Sequence, residues 1–459
     1  MNSTRIFVCT LFAALHVAVA HERVASQGLP ETPKPAEAKP RPLPDEKDLH
    51  RPGRTPDRII LTWNGDPSTS QAVNWRTDSS VERAVAELTI AEGGSLFEKK
   101  ALRFPAATER LDSDLGTAHY HSVTFQGLTP ATKYIYRVGD GEVWSEWIHF
   151  RSASCEPEPF SFIYFGDAQN DIKRHWSRVI REAYSDAPRA RFMIHAGDLV
   201  NNSRKDAEWG EWFQAGGWMN AMVPSVPAVG NHEYTKDPKN DKLPASVSPH
   251  WRAQFTLSPS AIAGLDETCY SLDYQGARII CLNSNEKLVE QAEWLEVQLR
   301  NNPSTWTVIA FHHPIFSAAK SRDNPRVRSE WKSVFDKYRV DLVLTGHDHT
   351  YARSRPTREI NVASGLNKRS IDSGTVYVVS VSGPKAYGAE RYPFTQRIAE
   401  DTQLYQIIHV HPTHLLYEAK MANGELYDSF ELRKRPGDIN EFIERAPAIP
   451  ERLRSNATP

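Results

Sequence analysis

Five short, mainly apolar runs recur along the second part of the chain, at 162–165, 192–195, 226–229, 307–311 and 340–344. Runs of this length and composition predict strands buried on both faces of a sheet. Between the first two, Ile172, Trp176, Val179, Ile180 and Ala183 repeat at helical spacing, which predicts a crossover helix between parallel strands. Trp209, Trp212, Phe213 and Trp218 predict an aromatic helix packed on the sheet, and 288–299 and the group Trp331, Val334, Phe335 predict two more helices. Residues 270–274 and 278–282 predict an antiparallel pair, and 375–381, 404–411, 414–419 and 426–432 further strands. Strand–helix units interrupted by antiparallel strands predict two stacked sheets with helices outside. One short helix is predicted at 439–445.

Upstream, residues 58–152 follow a different pattern. Strands are predicted at 59–63, 72–75, 84–90, 120–125, 133–138 and 147–150, separated by turn residues at the spacing of a β-sandwich. The stretch Gly127-Leu128-Thr129-Pro130-Ala131-Thr132-Lys133-Tyr134 resembles the strand entry of fibronectin type III-like domains. Nothing in this sandwich offers chemistry, and its expected role is structural. The hairpin turning at Gln275-Gly276 sets Tyr270 opposite Cys281, so Cys269 and Cys281 fall on opposite faces and are expected to be buried and unpaired, as is Cys155.

The first 20 residues lie outside the fold. Arg5 precedes an apolar run that closes on Ala18-Val19-Ala20, the layout of a secretory signal peptide and too short for a membrane span. Residues 21–56, rich in Pro, Lys, Glu and Arg, predict a disordered or extended linker. The expected division is therefore 1–20 signal, 21–56 linker, 57–153 sandwich, 158–434 second domain and 435–459 tail. A formal net charge of −2 gives no footprint for nucleic acid or an anionic membrane. The expectation is an exported protein, secreted or periplasmic, with no membrane insertion and no nucleic-acid partner.

What closes the five runs carries the chemistry. They end in Gly166-Asp167-Ala168-Gln169, Gly197-Asp198, Gly230-Asn231-His232-Glu233, His312-His313-Pro314 and Gly346-His347-Asp348-His349. Ligands of open α/β sheets collect at the carboxyl ends of strands. Carboxylates, an amide and imidazoles, with no thiolate, suit Fe, Zn, Mn or Ni. Two ions about 3.5–4 Å apart need a bridging ligand, which an Asp can be, and such a pair can clamp a phosphate, generate a hydroxide and stabilise a leaving oxygen.

In this order and at these strand ends, the motifs resemble those of the calcineurin-like metallophosphoesterases, and with the sandwich in front the chain resembles a purple acid phosphatase from about Arg58 to Leu432. The resemblance implies an α+β/α/β fold: an N-terminal fibronectin type III-like β-sandwich followed by a four-layer αββα metallophosphoesterase domain. It implies a phosphate ester substrate and two metal ions (Fe, Zn or Mn). Asp167 and His349 would hold one ion, Asn231, His312 and His347 the other, and Asp198 would bridge. The resemblance also makes His232 the catalytic residue that touches the phosphate and assists the leaving group of a metal-hydroxide attack. Three features depart from the family pattern. Asn201 stands where purple acid phosphatases have a metal-bound Tyr. Gln169 stands where they have Gly, and would either lend an oxygen to the first metal or hydrogen-bond there. No histidine lies between Pro314 and Gly346, where plant-type members carry substrate-binding ones.

Around these residues, His195 is expected to be packed in the core. His313 is expected to turn away by strand alternation into a structural hydrogen bond, and Glu233 to orient the backbone of the site. Tyr351 and Arg353 are expected either to line the pocket or to hold the loop, and Gly383-Pro384-Lys385 is similarly open. A phosphatase acting on monoesters is the first reading. A phosphodiesterase, favoured by Gln169 and Asn201, and a non-catalytic binding module with a degenerate site are the alternatives.

Overall fold

The computed structural model of the protein describes residues 44–236, 245–356, 374–435 and 437–454. The expected signal peptide and the linker as far as residue 43 lie outside the described residues. Among the described residues no helix is long and apolar enough to cross a membrane.

The sandwich has one sheet of Asp57–Thr62, Ser70–Asp78, Gly116–Gln126 and Ala107–Ser113, in that spatial order, and another of Leu102–Pro105, Val85–Ile90, Lys133–Gly139 and Ile148–Arg151. Val73, Trp75, Phe125, Tyr136 and Phe150 fill the space between them. Leu102–Pro105 and Ala107–Ser113 were not expected. They are edge strands with mostly exposed side chains, so no apolar alternation marks them.

Two seven-stranded mixed sheets make the second domain. One runs Ser225–Ala228, Met193–Ala196, Phe160–Phe165, Leu404–Val410, His414–Met421, Leu426–Arg433, Glu441–Glu444. Its first three strands are parallel and the rest antiparallel. The other runs Tyr270–Tyr274, Ala277–Cys281, Trp306–Phe311, Leu342–Thr345, Val376–Val379, Tyr351–Ser354, Thr395–Ala399, with its second to fifth strands parallel. Alternation along Trp306–Phe311 shows the layering. Val308 and Ala310 join the core shared with the first sheet, while Ile309 and Phe311 face Leu295, Trp331 and Phe335 of the covering helices Leu288–Arg300 and Pro325–Tyr338. On the far side, the turn Ile172–Trp176 and helix Ser177–Asp186 bury Ile172, Trp176, Val179, Ile180 and Ala183, as their spacing predicts. The layers are thus helix, sheet, sheet, helix.

Four expectations need correction. Residues 439–445 contain a strand, Glu441–Glu444, paired with Leu426–Arg433; Ile439, Phe442 and Ile443 mimic a helical period, and the free sheet edge decides the outcome. Trp218 is 54% exposed and lies outside the aromatic core. Cys155 is exposed, whereas Cys269 and Cys281 are buried and free as expected. The end of the supposed linker is ordered: Glu46–Leu49 is a helical turn capped by Asp45, and His50 lies buried over Gly210.

The sandwich is joined to the second domain by buried charge. Arg58 donates to both oxygens of Asp206, each at 2.7 Å. Arg76 adds a bond at 3.0 Å and carries Asp57 and the carbonyl of His50 on its other donors. Burial works against the Asp206 charge, but His250, Arg58 and Arg76 outweigh it and hold its carboxyl below the usual range. A carboxylate with a depressed folded-state pKa stabilises the fold above its unfolded value, near 4, and that contribution is lost as pH falls below it. Asp206→Asn leaves two buried guanidinium groups short of a counter-charge and is expected to cost about 3–5 kcal/mol. Chemical denaturation should show this at neutral pH, with the gap to wild type closing below about pH 4.

Candidate metal centre

The five strand ends meet in one place because the two sheets contribute to it from opposite sides. Phe160–Phe165, Met193–Ala196 and Ser225–Ala228 bring Asp167, Asp198 and Asn231 from the first sheet. Trp306–Phe311 and Leu342–Thr345 bring His312, His347 and His349 from the second. A parallel bridge between Asp167 and Val381 ties the sheets together beside the site. The backbone closes tightly here: a Cβ at Gly346 would lie 2.1 Å from Asp167 Oδ1, and one at Gly230 2.2 Å from Asp198 Oδ1. These glycines are therefore required by close approach.

The donors form two groups with Asp198 between them. In one, His349 Nε2 lies 3.2 Å from Asp167 Oδ2. In the other, Asn231 Oδ1, His312 Nε2 and His347 Nδ1 lie 3.0 Å from one another. Asp198 Oδ2 is 3.1 Å from His312 Nε2 and accepts from Gln169 Nε2 at 2.9 Å, and that amide nitrogen lies 3.2 Å from His349 Nε2. Asp167, Gln169, Asp198, His312 and His349 are buried; Asn231, His232 and His347 are partly exposed.

Each group is held from behind. His312 Nδ1 and His349 Nδ1 meet the carbonyls of Ala196 and Lys385, both at 3.0 Å. A carbonyl only accepts, so the proton sits on Nδ1 and Nε2 turns its lone pair to the centre. Glu233 accepts from the backbone N–H groups of Asp198, Leu199 and Gly230 at 2.7–2.9 Å, as expected of a residue that shapes the site. Burial and the neighbouring Asp198 push its carboxyl up to about 8. His195 is enclosed by Phe165, Trp176 and Trp212, and burial pushes it down to about 3.

The residues fit a cation. Asp167 Oδ2 and Gln169 Oε1 are buried without a hydrogen-bond partner, and buried polar atoms rarely stay so. Asp167, Asp198 and His312, and separately His312, His313 and His347, each bring ligand atoms within 4.8 Å of one another. Without a cation beside it, burial pushes His312 down, but Asp198 and Asp167 outweigh it and raise the imidazole to about 10; a bound cation would take the place of the Nε2 proton and free that lone pair. Positive charge is therefore called for at this point. His347 is pushed low by burial, His312, His313 and Arg322. Burial alone would raise Asp167, yet His312 and His349 hold it low.

The structure also decides what the sequence left open and corrects the direction in which His313 turns, while keeping its structural hydrogen bond. The His313 ring does not leave the site: it bonds Ser284 at 2.8 Å and lies 4.2 Å from the His347 ring, because the strand ends at Phe311 and alternation lapses. Tyr351 and Arg353 do leave it. Both are buried in a strand and bond Asp428, Arg353 through two donors at 2.7 and 2.8 Å. Lys385 contributes its carbonyl to His349. Arg322, which nothing in the sequence pattern singles out, sets its guanidinium against His347 Nε2 and donates to Asp348 at 3.1 Å.

Residues 56–152 match the purple acid phosphatase N-terminal domain family, and residues 160–351 match the calcineurin-like phosphoesterase family. The chain is 27% identical to acid phosphatase type 7 of Danio rerio over 359 residues, covering 69% of this chain and 75% of that one. It is 27% identical to a phosphoenolpyruvate phosphatase of Allium cepa over 365 residues, covering 74% and 73%. Its fold matches that of a purple acid phosphatase from yellow lupin seeds with a TM-score of 0.69 at 20% identity, over 82% of this chain and 74% of that one. The chain thus carries a purple acid phosphatase N-terminal domain followed by a calcineurin-like phosphoesterase domain, and with its acid phosphatase relatives this makes it a hydrolase.

Proposed function

We propose that the protein is an exported, dinuclear metal-dependent phosphatase acting on phosphate monoesters. The observation that best supports this is the convergence of Asp167, Asp198, Asn231, His312, His347 and His349 between the two sheets, with buried oxygens left unpartnered among them. In this reading Asp167 and His349 would hold one ion, Asn231 through its amide oxygen, His312 and His347 would hold the other, and Asp198 would serve both. Gln169 turns its amide oxygen to the first ion or keeps its hydrogen bond to Asp198. Fe, Zn or Mn suits these donors. Such a pair of ions supplies charge neutralisation, an activated water and a clamp for in-line displacement.

His232 stands beside these ligands. Its backbone N–H donates to Asp198 Oδ1 at 2.9 Å, and its Nδ1 meets the carbonyl of Asn201 at 2.5 Å. Nδ1 therefore keeps its proton, and Nε2, 3.8 Å from Asp198 Oδ2, is the atom that serves the substrate. With a second proton on Nε2, the imidazole hands it to the oxygen of the departing alcohol. The Asn201 side chain is bound by Asn170 at 2.6 Å, and an amide there gives iron no phenolate, so the iron-loaded protein would lack a tyrosinate colour. Export rests on the signal-like pattern of residues 1–20.

Gln169 inside the centre favours phosphodiesterase activity as a second reading. The test is hydrolysis of p-nitrophenyl phosphate and of bis(p-nitrophenyl) phosphate by protein refilled with Mn or Zn. Faster turnover of the monoester supports the first reading, and turnover of the diester alone supports the second. Elemental analysis of the refilled protein is expected to give about two ions per chain. Asp198→Ala should lose more metal than Asp167→Ala, since a bridging ligand serves both ions; equal losses would remove the bridge. His232→Ala should keep its metal and lose about 10²–10⁴-fold in turnover. The loss should be larger on an alkyl phosphate, whose alkoxide needs the proton, than on a nitrophenyl ester. Unchanged turnover on both esters, with metal and melting temperature intact, would end the acid role.

A further inference from the structure

On one side of the centre, two loops form a positively charged wall. Residues 317–322 and 383–390 are zipped together by an antiparallel bridge between Ala319 and Ala389 and by backbone bonds from Lys320 to Gly388 and from Glu390 to Ala318, at 2.8 and 2.7 Å. Tyr387 is the plate of this wall. Its N–H donates to the His349 carbonyl at 3.0 Å, and its ring centroid lies 4.8 Å from that of His349. The Arg322 guanidinium lies over the Tyr387 ring at 5.1 Å and the Lys385 ammonium at 5.5 Å. Two cations thus share one aromatic ring, held against the candidate ligands: Arg322 beside His347 through its bond to Asp348, Lys385 and Tyr387 through their backbones to His349.

These cations are unevenly compensated. Arg322 has the buried Asp348 as counter-ion at 3.1 Å and a side chain 31% exposed. Among the described residues the Lys385 ammonium meets no carboxylate and lies over the Tyr387 ring face. The nearby acids are engaged elsewhere: Glu390 with the Tyr392 hydroxyl at 2.7 Å, Asp323 with Arg328 at 2.6 Å, Glu400 with the Ala389 N–H at 2.7 Å. A partly exposed ammonium and guanidinium on two bridged loops beside the centre are placed to take an anion.

We propose that Arg322, Tyr387 and Lys385 form a second anion subsite that selects phosphate esters whose leaving group carries a negative charge of its own, such as a carboxylate. This rests on the phosphatase reading of the centre and narrows its substrate class. The phosphoryl group goes to the centre, and the second anion sits on the wall between the two cations. The leaving oxygen lies between them.

Calorimetric titration of Mn-refilled protein with phosphonoacetate and with ethylphosphonate tests this without turnover. Wild type is expected to bind phosphonoacetate about tenfold more tightly or better, as a charge-assisted contact allows. Lys385→Met removes the ammonium but keeps the carbonyl that holds His349, and it should abolish most of the preference, as should Arg322→Gln, with metal content measured in both. A preference that survives in both variants means that the ions themselves read the carboxylate, and overturns the subsite; so does equal binding by wild type. In turnover, the kcat/KM ratio of 3-phosphoglycerate to glycerol 3-phosphate should fall about tenfold in Lys385→Met. If neither ester is hydrolysed, the phosphatase reading fails while the titrations still decide the subsite.

Discussion

Two carboxylates shut away from water set the terms for this structure. Asp167 and Asp198 are buried at the ends of neighbouring strands, and an ionised carboxylate in such a place costs several kcal/mol unless compensated. The compensation comes from far along the chain. His347 brings its backbone N–H to Asp167 at 2.6 Å, His232 brings its own to Asp198, and His312 faces both acids. Each partner sits on a different strand end, so the charges stay buried only if both sheets keep their register. Glu233 shapes the loop that makes this possible, gathering three backbone N–H groups around one side chain.

That constraint explains what the sequence revealed. The site was legible because buried parallel strands need unbroken apolar runs, and polar residues at their ends stand out against them. Asp167, Asp198, Asn231 and the three histidines are readable for this reason, and the layered fold follows from the same runs. Residues that act through partners distant in sequence were not legible. Arg322 lies in a loop with no pattern of its own, and the part of Lys385 that matters to His349 is its carbonyl, which any residue would supply. His313 makes the structural hydrogen bond expected of it, to Ser284, but stays beside His347 because alternation does not extend beyond the strand. Arg353 was ambiguous because a buried charge in a strand makes sense only once Asp428 is seen opposite it. Edge strands such as Ala107–Ser113, half in water, have too little apolar pattern to be recognised.

The sandwich acts on the site at a distance. Arg58 and Arg76 reach from its strands to Asp206 at the start of helix Asp206–Gly216, and Trp209 and Trp212 of that helix belong to the core under the first sheet. The Tyr136 hydroxyl adds a bond to the Ala221 carbonyl at 2.7 Å. The sandwich is thereby anchored to the helix whose tryptophans pack in the same core as the strands that present Asp167 and Asp198.

Gly230 and Gly346 divide the centre into a part that can vary and a part that cannot. Any side chain at either position would drive its first carbon into a carboxylate oxygen, and no change of rotamer relieves a clash that begins at Cβ. A mutational library spread over the site would find these backbone positions closed. In the loops 317–322 and 383–390, Lys320, Ser321 and Arg322 and the residues from Pro384 to Glu390 are at least partly exposed, whereas Ala318 and Ala319 are buried and Gly383 is closed by the Gln169 carbonyl. Substitutions at these exposed loop positions would alter the wall beside the centre while the floor beneath it stayed the same.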